Sequence, residues 1–249
     1  MDKIQSAYVW EKKKLDDPDL EYDATGKRPA WIKIKNQVKT KFLTVSFGYG
    51  NNQYVEFLHS GFHIPTNYTK EELGKLYDQF AETYDDVVKG FGDELGAIQK
   101  AVGLLSKLKN TSSTILDIGS GTGRGAEVLA KKGYKNLTLL ELSKEMLAKA
   151  RQKPPLQHCT YIEAEFVTYE TQEKYDAITS FFAFGSPSYF SEQETITGLE
   201  KIKKMLKEKG VVLVVGDIAG FEKEFTPLFS GDFELKKGLK TQYFIGQKK

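Results

Sequence analysis

The sequence predicts a doubly wound α/β domain with a mostly parallel, seven-stranded sheet, an antiparallel C-terminal strand and an N-terminal β-hairpin and helix extension. Short apolar runs alternate with helical patterns from residue 114 onward, and a Gly-rich turn lies where the first run passes into a helix. Hydrophobic residues make up 40% of the 249 residues. They supply enough apolar material for a sizeable core.

Residues 1–68 are predicted to form the extension, and residues 69–249 the main domain. The stretch 11–29 is charged, turn-forming and without periodicity, whereas 41–57 alternates with period two around Gly50-Asn51-Asn52. That alternation predicts a β-hairpin. Packing on the main domain, closing over a substrate as a lid and forming a dimer contact are uses of the hairpin that the sequence leaves open, as it does the oligomeric state.

The main domain is predicted to begin with a helix at Thr69, because Thr69 and Glu72 form a capping box that satisfies backbone N–H groups. A regular alternation of strands and helices follows. Strand patterns occupy 114–118, 137–141, 160–164, 175–180 and 211–215, and helical patterns occupy 123–132 and 144–152.

A further helix is predicted before the last of these strands. Ser191 and Glu194 form its capping box, and Gly210 is expected to end it. Its predicted core residues recur at helical spacing: Ile196, Leu199, Ile202, Met205 and Leu206. Beyond them, the sequence predicts a short helix at 221–229 and an antiparallel pair of strands at 233–239 and 241–246.

Charge and cysteine content limit the class of protein. Thirty-six Lys and Arg residues against 34 Asp and Glu leave a net charge of +2, which argues against nucleic-acid binding through a basic field. With Cys159 as its single cysteine, the chain forms no internal disulfide. The first residues lack the apolar region of a secretory signal, and the run 211–215 is too short to span a bilayer. We therefore expect a soluble, cytoplasmic protein with no integral membrane contact.

The Gly-rich turn predicts a nucleotide-like ligand, since it sits at the carboxyl end of a strand and opens a helix. Read from Gly119, the dinucleotide fingerprint fails at Arg124, although a reading from Gly121 gives a permitted variant ending in Ala126. Asp117 disfavours a pyrophosphate and favours a cationic ligand. Because the variant reading from Gly121 is permitted, an NAD(P)-dependent oxidoreductase nevertheless remains an alternative.

The run Asp117-x-Gly119-x-Gly121-x-Gly123 resembles the first motif of class I S-adenosylmethionine-dependent methyltransferases. The resemblance covers roughly residues 76–248. It implies a Rossmann-like fold, S-adenosyl-L-methionine as cofactor and S-adenosyl-L-homocysteine as product. In that family a carboxylate near the turn suits the ammonium and sulfonium of the methionyl portion.

The same resemblance implies further cofactor contacts. Glu141 matches the family's acidic residue that binds the ribose hydroxyls, and Glu165 with Phe166 matches the adenine site, where many members have Asp instead of Glu. Tyr77 and Tyr84 belong to a Y-D-x-x-A-x-x-Y-D element that is similar to one closing over the methionyl end in quinone and amine methyltransferases. The remaining implied contacts are Ser120, Leu142, Met146, Ser180 and Phe181.

The methyl acceptor is predicted to be a small molecule, mainly by exclusion. The segment 180–185 lacks the Pro-Pro-aromatic motif of nucleic-acid amino methyltransferases, and Cys159 lies before the third strand, where it does not suit cytosine C5 chemistry. The double-Glu loop of arginine methyltransferases is also missing. An aromatic-rich segment either walls the acceptor site or belongs to the core: Phe181, Phe182, Phe184, Pro187, Tyr189 and Phe190.

The catalytic residue stays unassigned, with His59, His63 and Tyr77 as candidates for a base. His158 lies in a polar stretch and is expected at the surface. The spacing of His, Cys and acidic residues predicts no metal site. The sequence therefore favours a methyltransferase that acts on a small molecule by in-line displacement. A non-catalytic protein that retains the cofactor fold as a binding or scaffold module is the main alternative.

Overall fold

The computed structural model describes the backbone of five N-terminal strands within residues 6–58, and the chain at 69–89, 92–184, 190–237 and 239–249. The chain divides into two compact units, Met1–Thr69 and Lys70–Lys249. Each unit has its own sheet, and each is described by itself below.

The first unit contains a five-stranded antiparallel sheet with the order β2-β3-β1-β4-β5. Its strands are β1 (Ser6–Val9), β2 (Leu20–Asp23), β3 (Trp31–Ile34), β4 (Leu43–Tyr49) and β5 (Asn52–Leu58). Strands β4 and β5 pair as a hairpin where the alternation at 41–57 predicts one. The sequence missed β1, β2 and β3, because strands of four residues are too short to establish a period-two pattern.

The second unit contains a seven-stranded sheet with the order β11-β12-β10-β9-β6-β7-β8. Its strands are β6 (Thr114–Ile118), β7 (Asn136–Glu141), β8 (Thr160–Glu163), β9 (Tyr175–Phe181), β10 (Leu206–Gly216), β11 (Phe225–Lys236) and β12 (Leu239–Lys248). Strands β6 to β10 form the parallel part of the sheet, and β12 runs antiparallel to both β10 and β11. The predicted fold class is confirmed.

Seven helices accompany this sheet in the described part of the unit: α1 (Lys70–Phe80), α2 (Tyr84–Val88), α3 (Glu94–Leu105), α4 (Arg124–Lys131), α5 (Lys144–Gln152), α6 (Glu192–Met205) and α7 (Phe221–Glu224). Helices α3, α4 and α5 bury apolar side chains in one cluster with the sheet, and α6 and α7 contribute to a second cluster. Ile115 and Leu116 are consecutive residues of β6 and enter different clusters, because successive side chains of a strand point to opposite faces of the sheet and both faces are covered. Among the described helices, none has the length and apolar character needed to cross a membrane.

Two helix ends differ from the prediction. Helix α6 keeps its Ser191 capping box but ends at Met205, because Leu206 adopts an extended conformation and pairs with β9. Gly210 therefore lies inside β10, and Ile196 is 47% exposed instead of belonging to the core.

Helix α7 also stops short of its predicted end, at Glu224. Phe225 already pairs with Lys248 of β12, so residues that looked helical become part of the long edge strand β11. Pro227 lies within that segment and lacks the N–H that a continuing helix needs.

Candidate functional site

The strand order reverses between β6 and β9, which places a crevice at the carboxyl ends of these strands. A cavity opens there. Most of the residues predicted to bind a cofactor line it: Tyr77, Tyr84, Gly119, Gly121, Glu141, Leu142, Met146, Glu165, Phe166 and Phe181.

The Gly-rich turn between β6 and α4 forms the floor of this cavity. Gly119, Gly121 and Gly123 all have positive φ, at 63°, 53° and 78°. A Cβ at Gly123 would meet Leu156 at 2.6 Å, so Gly123 serves close packing and does not line the cavity. A Cβ at Gly121 would meet only Tyr84, at 4.0 Å. Gly121 is therefore the position where a ligand can approach the backbone.

Glu141 ends β7 and ties the turn to the neighbouring strand. Its Oε2 accepts from the Gly121 N–H at 2.9 Å, and its Oε1 accepts from the N–H groups of Leu142 and Ser143 at 2.8 and 3.0 Å. Burial raises the pKa of Glu141; the three N–H donors oppose this rise, and nearby Asp78 adds to it. A carboxylate has about four acceptor positions, so Glu141 keeps capacity for a ligand hydroxyl.

Asp117 does not line the cavity, and its direct contact with a cationic ligand stays a prediction. It is 2% exposed, and its Oδ1 accepts from the Thr179 hydroxyl at 2.7 Å. Burial raises the pKa of Asp117 to about 7; the Thr179 hydrogen bond opposes this rise, and the Glu141 charge adds to it. The Asp117 side chain lies on one face of the sheet, beside Thr179 of β9, because successive residues of β6 point to opposite faces. The motif spacing does not reveal this direction.

Two buried polar atoms near the turn have no hydrogen-bond partner among the described residues: Asp117 Oδ2 and Ser120 Oγ. Ser120 is itself 8% exposed and does not line the cavity, and its contact with the cofactor stays a prediction. Buried polar atoms in native proteins are generally paired with protein, water or ligand. The turn therefore has hydrogen-bonding capacity that the chain itself does not use.

An aromatic cover lies on the other side of Gly121. The rings of Tyr77, Phe80 and Tyr84 meet edge to face, with centroids 5.5 to 6.4 Å apart. Phe80 is buried, whereas Tyr77 and Tyr84 are half-buried and line the cavity. The core interpretation of this helix therefore applies to Phe80, and the two tyrosines are available to a ligand.

Two aspartates attach this cover to the domain. Asp78 accepts from the Ser143 hydroxyl at 2.7 Å and from the Glu145 N–H at 3.1 Å, at the start of α5. Asp85 accepts from the Thr122 hydroxyl in the Gly-rich turn and from Lys153 Nζ, the latter at 2.9 Å. Sequence reasoning quoted both aspartates as part of a motif but assigned them no role.

The segment after β8 forms another wall of the cavity. Glu165 lines it, and its Oε2 accepts from the Thr168 N–H at 2.6 Å. Phe166 lines it too, with its ring edge-on to Phe184 at 5.7 Å. The resemblance places an adenine ring at this wall.

The end of β9 brings aromatic side chains to the opposite wall. Phe181, Phe182 and Phe190 line the cavity, whereas Phe184 is 1% exposed and belongs to the core. Phe182 has φ of 58°, a conformation that bulky residues rarely adopt and that clusters at functional sites. Ser180 is buried: its hydroxyl donates to the Ile118 carbonyl and accepts from the Phe184 N–H, both at 3.0 Å, and its contact with the cofactor stays a prediction.

Some predicted residues lie outside the described part of the chain: His59, His63, Pro187 and Tyr189. His158 is exposed, as expected. Lys70 also lines the cavity, although no sequence pattern singled it out as a site residue. Its Nζ lies 3.3 Å from Glu194 Oε1 and 4.6 Å from the centroid of the Phe190 ring. No local pattern marks such a lysine, because its partners are more than 100 residues away in sequence.

Comparison with known proteins gives a family match and several similar proteins. The model of a family described as "Methyltransferase domain" matches residues 115–210. The chain is 28% identical over 198 residues to a demethylmenaquinone methyltransferase of Thermotoga maritima, covering 70% of this chain and 80% of that protein. It is 30% identical over 114 residues to a chloroplastic 2-methyl-6-phytyl-1,4-hydroquinone methyltransferase of Spinacia oleracea, covering 45% of this chain and 31% of that protein.

A solved structure has the same fold at low sequence identity. The 1,6-didemethyltoxoflavin-N1-methyltransferase of Burkholderia thailandensis, solved with its acceptor and S-adenosylhomocysteine, has a TM-score of 0.57 at 15% identity. The match covers 85% of this chain and 97% of that one. The strand order, the Gly-rich turn, the family match and the sequence relatives agree, and residues 115–210 therefore belong to a methyltransferase domain.

Proposed function

We propose that this chain methylates a small aromatic acceptor of the quinol type, by in-line displacement in the cavity at the carboxyl ends of β6 to β9. The observation that carries the proposal is the mixed lining of this cavity. The carboxylates of Glu141 and Glu165 follow β7 and β8, and Phe181 and Phe182 stand at the end of β9. A polar cofactor and an aromatic acceptor therefore both find suitable surface in one cavity.

The described residues fit the cofactor. Glu141 would accept from the ribose hydroxyls, Glu165 and Phe166 would hold the adenine, and Tyr77 with Tyr84 would cover the methionyl end beside Gly121. The unpaired buried atoms at the turn, Asp117 Oδ2 and Ser120 Oγ, support a polar ligand or an ordered water there. When bound, the cofactor supplies an electrophilic methyl group on a sulfonium.

The residues around the acceptor would act mainly by orientation and by excluding water. Phe181, Phe182 and Phe190 offer flat apolar surface to an aromatic ring. The names of two relatives, a demethylmenaquinone and a hydroquinone methyltransferase, support an acceptor of this type. Among the three candidate bases, Tyr77 belongs to the described residues and lines the cavity, and only its ionised form would take a proton from a quinol hydroxyl.

Calorimetric titration tests the cofactor half of this proposal. We expect S-adenosylmethionine and S-adenosylhomocysteine each to bind the purified full chain at one site. Folded protein that gives no heat with either compound would overturn the cofactor assignment.

Mass spectrometry of acceptor mixtures tests the other half. The chain would be incubated with S-adenosylmethionine and either short-chain hydroquinones or aliphatic amines of similar size. We expect the hydroquinones to gain the mass of one methyl group and the amines to remain unchanged. Methylation of the amines alone would refute the quinol assignment while leaving the methyltransferase intact.

A further inference from the structure

We propose that Asp85 is a positioning residue that holds Tyr84 over Gly121 by attaching α2 to the Gly-rich turn. Asp85 does not line the cavity, so in this arrangement it would act through Tyr84 and not through a contact with the cofactor or the acceptor. The inference rests on the proposed function in one respect, because it takes the cofactor to bind beside Gly121.

The contact joins two neighbours of the functional residues. Asp85 directly follows Tyr84, and Thr122 directly follows Gly121. The Thr122 hydroxyl donates to Asp85 Oδ1 across 37 residues of sequence, and Thr122 is 2% exposed. The Tyr84 ring lies 4.0 Å from where a Gly121 Cβ would stand. This hydrogen bond thus joins the aromatic cover to the Gly-rich turn at the floor of the cavity.

The second carboxylate oxygen of Asp85 connects α2 to a third element. Asp85 Oδ2 accepts from Lys153 Nζ at 2.9 Å, just after the end of α5. Lys153 also lies 4.0 Å from Glu127 of α4. The Asp85 side chain is 38% exposed, so this ion pair adds little to overall stability. Its main consequence is geometric, since it fixes the carboxylate in the orientation that Thr122 requires.

The first half of the cover is held independently. Helix α1 is attached to α5 through Asp78 and packs Gly74 against Leu142. Removing the Asp85 side chain should therefore loosen the link between α2 and the Gly-rich turn, while α1 stays in place and Tyr84 keeps its ring contacts with Tyr77 and Phe80. The expected defect is a weaker hold on the cofactor in a protein that still folds.

Asp86 provides a matched control in the same helix. It has the same side chain, is exposed and pairs with Lys89 in the same segment at 2.7 Å, without contact to the turn. We expect Asp85→Ala to raise the dissociation constant for S-adenosylhomocysteine and the KM for S-adenosylmethionine about tenfold, the size of one lost charge-assisted hydrogen bond. The kcat at saturating cofactor should stay within about threefold, and Asp86→Ala should leave both constants within about twofold.

Variants of Thr122 supply a second route that does not depend on the folding of Asp85→Ala. Thr122→Val removes the hydroxyl at nearly constant shape and should reproduce the weaker binding. Thr122→Ser keeps the hydroxyl and should bind nearly as well as the unaltered chain. Equal binding by the Val and Ser variants would overturn the inference.

A double-mutant cycle separates positioning of Tyr84 from any other effect. If Asp85 acts through Tyr84, Asp85→Ala should add almost nothing to the loss caused by Tyr84→Ala, and fully additive losses would contradict this. Failure of the unaltered chain to bind S-adenosylhomocysteine would refute the cofactor site itself. Normal binding by both the unaltered chain and Asp85→Ala would refute only the role of Asp85.

Discussion

The Glu141 carboxylate illustrates how one residue can serve structure and ligand binding together. It accepts three backbone N–H groups, from Gly121, Leu142 and Ser143, and it also lines the cavity. The sequence predicted the cofactor role by resemblance and position. It did not reveal the backbone bonds, which depend on how closely the end of β7 approaches the turn.

Replacing Glu141 should therefore affect both binding and folding. We expect Glu141→Ala to raise the dissociation constant for S-adenosylhomocysteine at least about tenfold and to lower the free energy of unfolding by about 1–3 kcal/mol, because buried N–H groups lose their acceptor. Calorimetry and urea unfolding would measure the two effects. Glu163, which pairs with Glu141 across β7 and β8 but is exposed, is the control: Glu163→Ala should change neither.

The buried Asp117 carboxyl should make stability depend on pH. Burial raises its pKa to about 7, so the folded chain holds a proton that the unfolded chain releases near its ordinary pKa of 3.8. Stability from this group is therefore present at low pH and decreases as the pH rises from about 4 to 7. Glu94, whose pKa burial also raises to about 7 against the opposing charge of Arg124, acts in the same direction.

Asp117→Asn isolates the contribution of Asp117, because the amide oxygen can still accept from Thr179. The variant should gain stability relative to the unaltered chain between pH 4.5 and pH 7, by at least about 1 kcal/mol. Urea unfolding at the two pH values measures this difference. A constant difference between the two proteins would show that Asp117 has an ordinary pKa.

At the scale of elements, α1 and α2 depend on tertiary contacts more than on their own sequence. Helix α1 approaches the loop between β7 and α5 closely because Gly74 has no side chain: a Cβ there would lie 3.3 Å from Leu142 Cγ. Leu142 lines the cavity, so the position of α1 bears on the ligand. The helical pattern predicted a helix starting at Thr69, but only packing shows which face meets the cofactor site.

Two helical glycines allow this contact to be tested. Gly74→Val should push α1 away from Leu142 and raise the dissociation constant for S-adenosylhomocysteine severalfold. Gly103 in α3 has open space around it, so Gly103→Ala should leave binding unchanged and raise the free energy of unfolding by up to about 1 kcal/mol through helix propensity. Calorimetry and thermal unfolding distinguish the two, and unchanged binding by Gly74→Val would show that α1 does not shape the site.

On the scale of the whole molecule, the chain forms two compact units, and the described residues that line the cavity belong to the second. The sheet of that unit has its own core on both faces. The uses predicted for the extension, as a lid, a packing element or a dimer contact, remain predictions. They concern acceptor turnover and association, and they need not affect cofactor binding.

A truncated chain tests this independence. We expect residues 70–249 alone to fold cooperatively and to bind S-adenosylhomocysteine within about threefold of the full chain, because its core and described site residues are retained. Circular dichroism, thermal unfolding and calorimetry provide the measurements. A truncated chain that folds but no longer binds would place part of the cofactor site in residues 1–69, and light scattering on both forms would test the dimer contact.

The sequence by itself determined the strand, turn and helix pattern of the cofactor half. Strand β6 and helix α5 have the bounds that the local patterns predict, because apolar runs, capping residues and glycines act over a few residues. The local pattern also put Glu141 at a strand end, and the family resemblance singled out the tyrosines of the cover. The local patterns predicted two helices too long. At Leu206 and Phe225, pairing with neighbouring strands of the sheet ends these helices earlier.

Only the tertiary structure decided which groups of the motifs face the cavity. Strand alternation and close packing under the turn bury the side chains of Asp117, Ser120 and Ser180. Gly123 packs against Leu156 and does not line the cavity. Lys70 reaches the cavity, and Asp85 meets Thr122, through contacts between residues far apart in the chain. Side-chain direction and long-range contacts follow from how helices and strands pack, which is why one sequence revealed the chemistry of this site but not its full geometry.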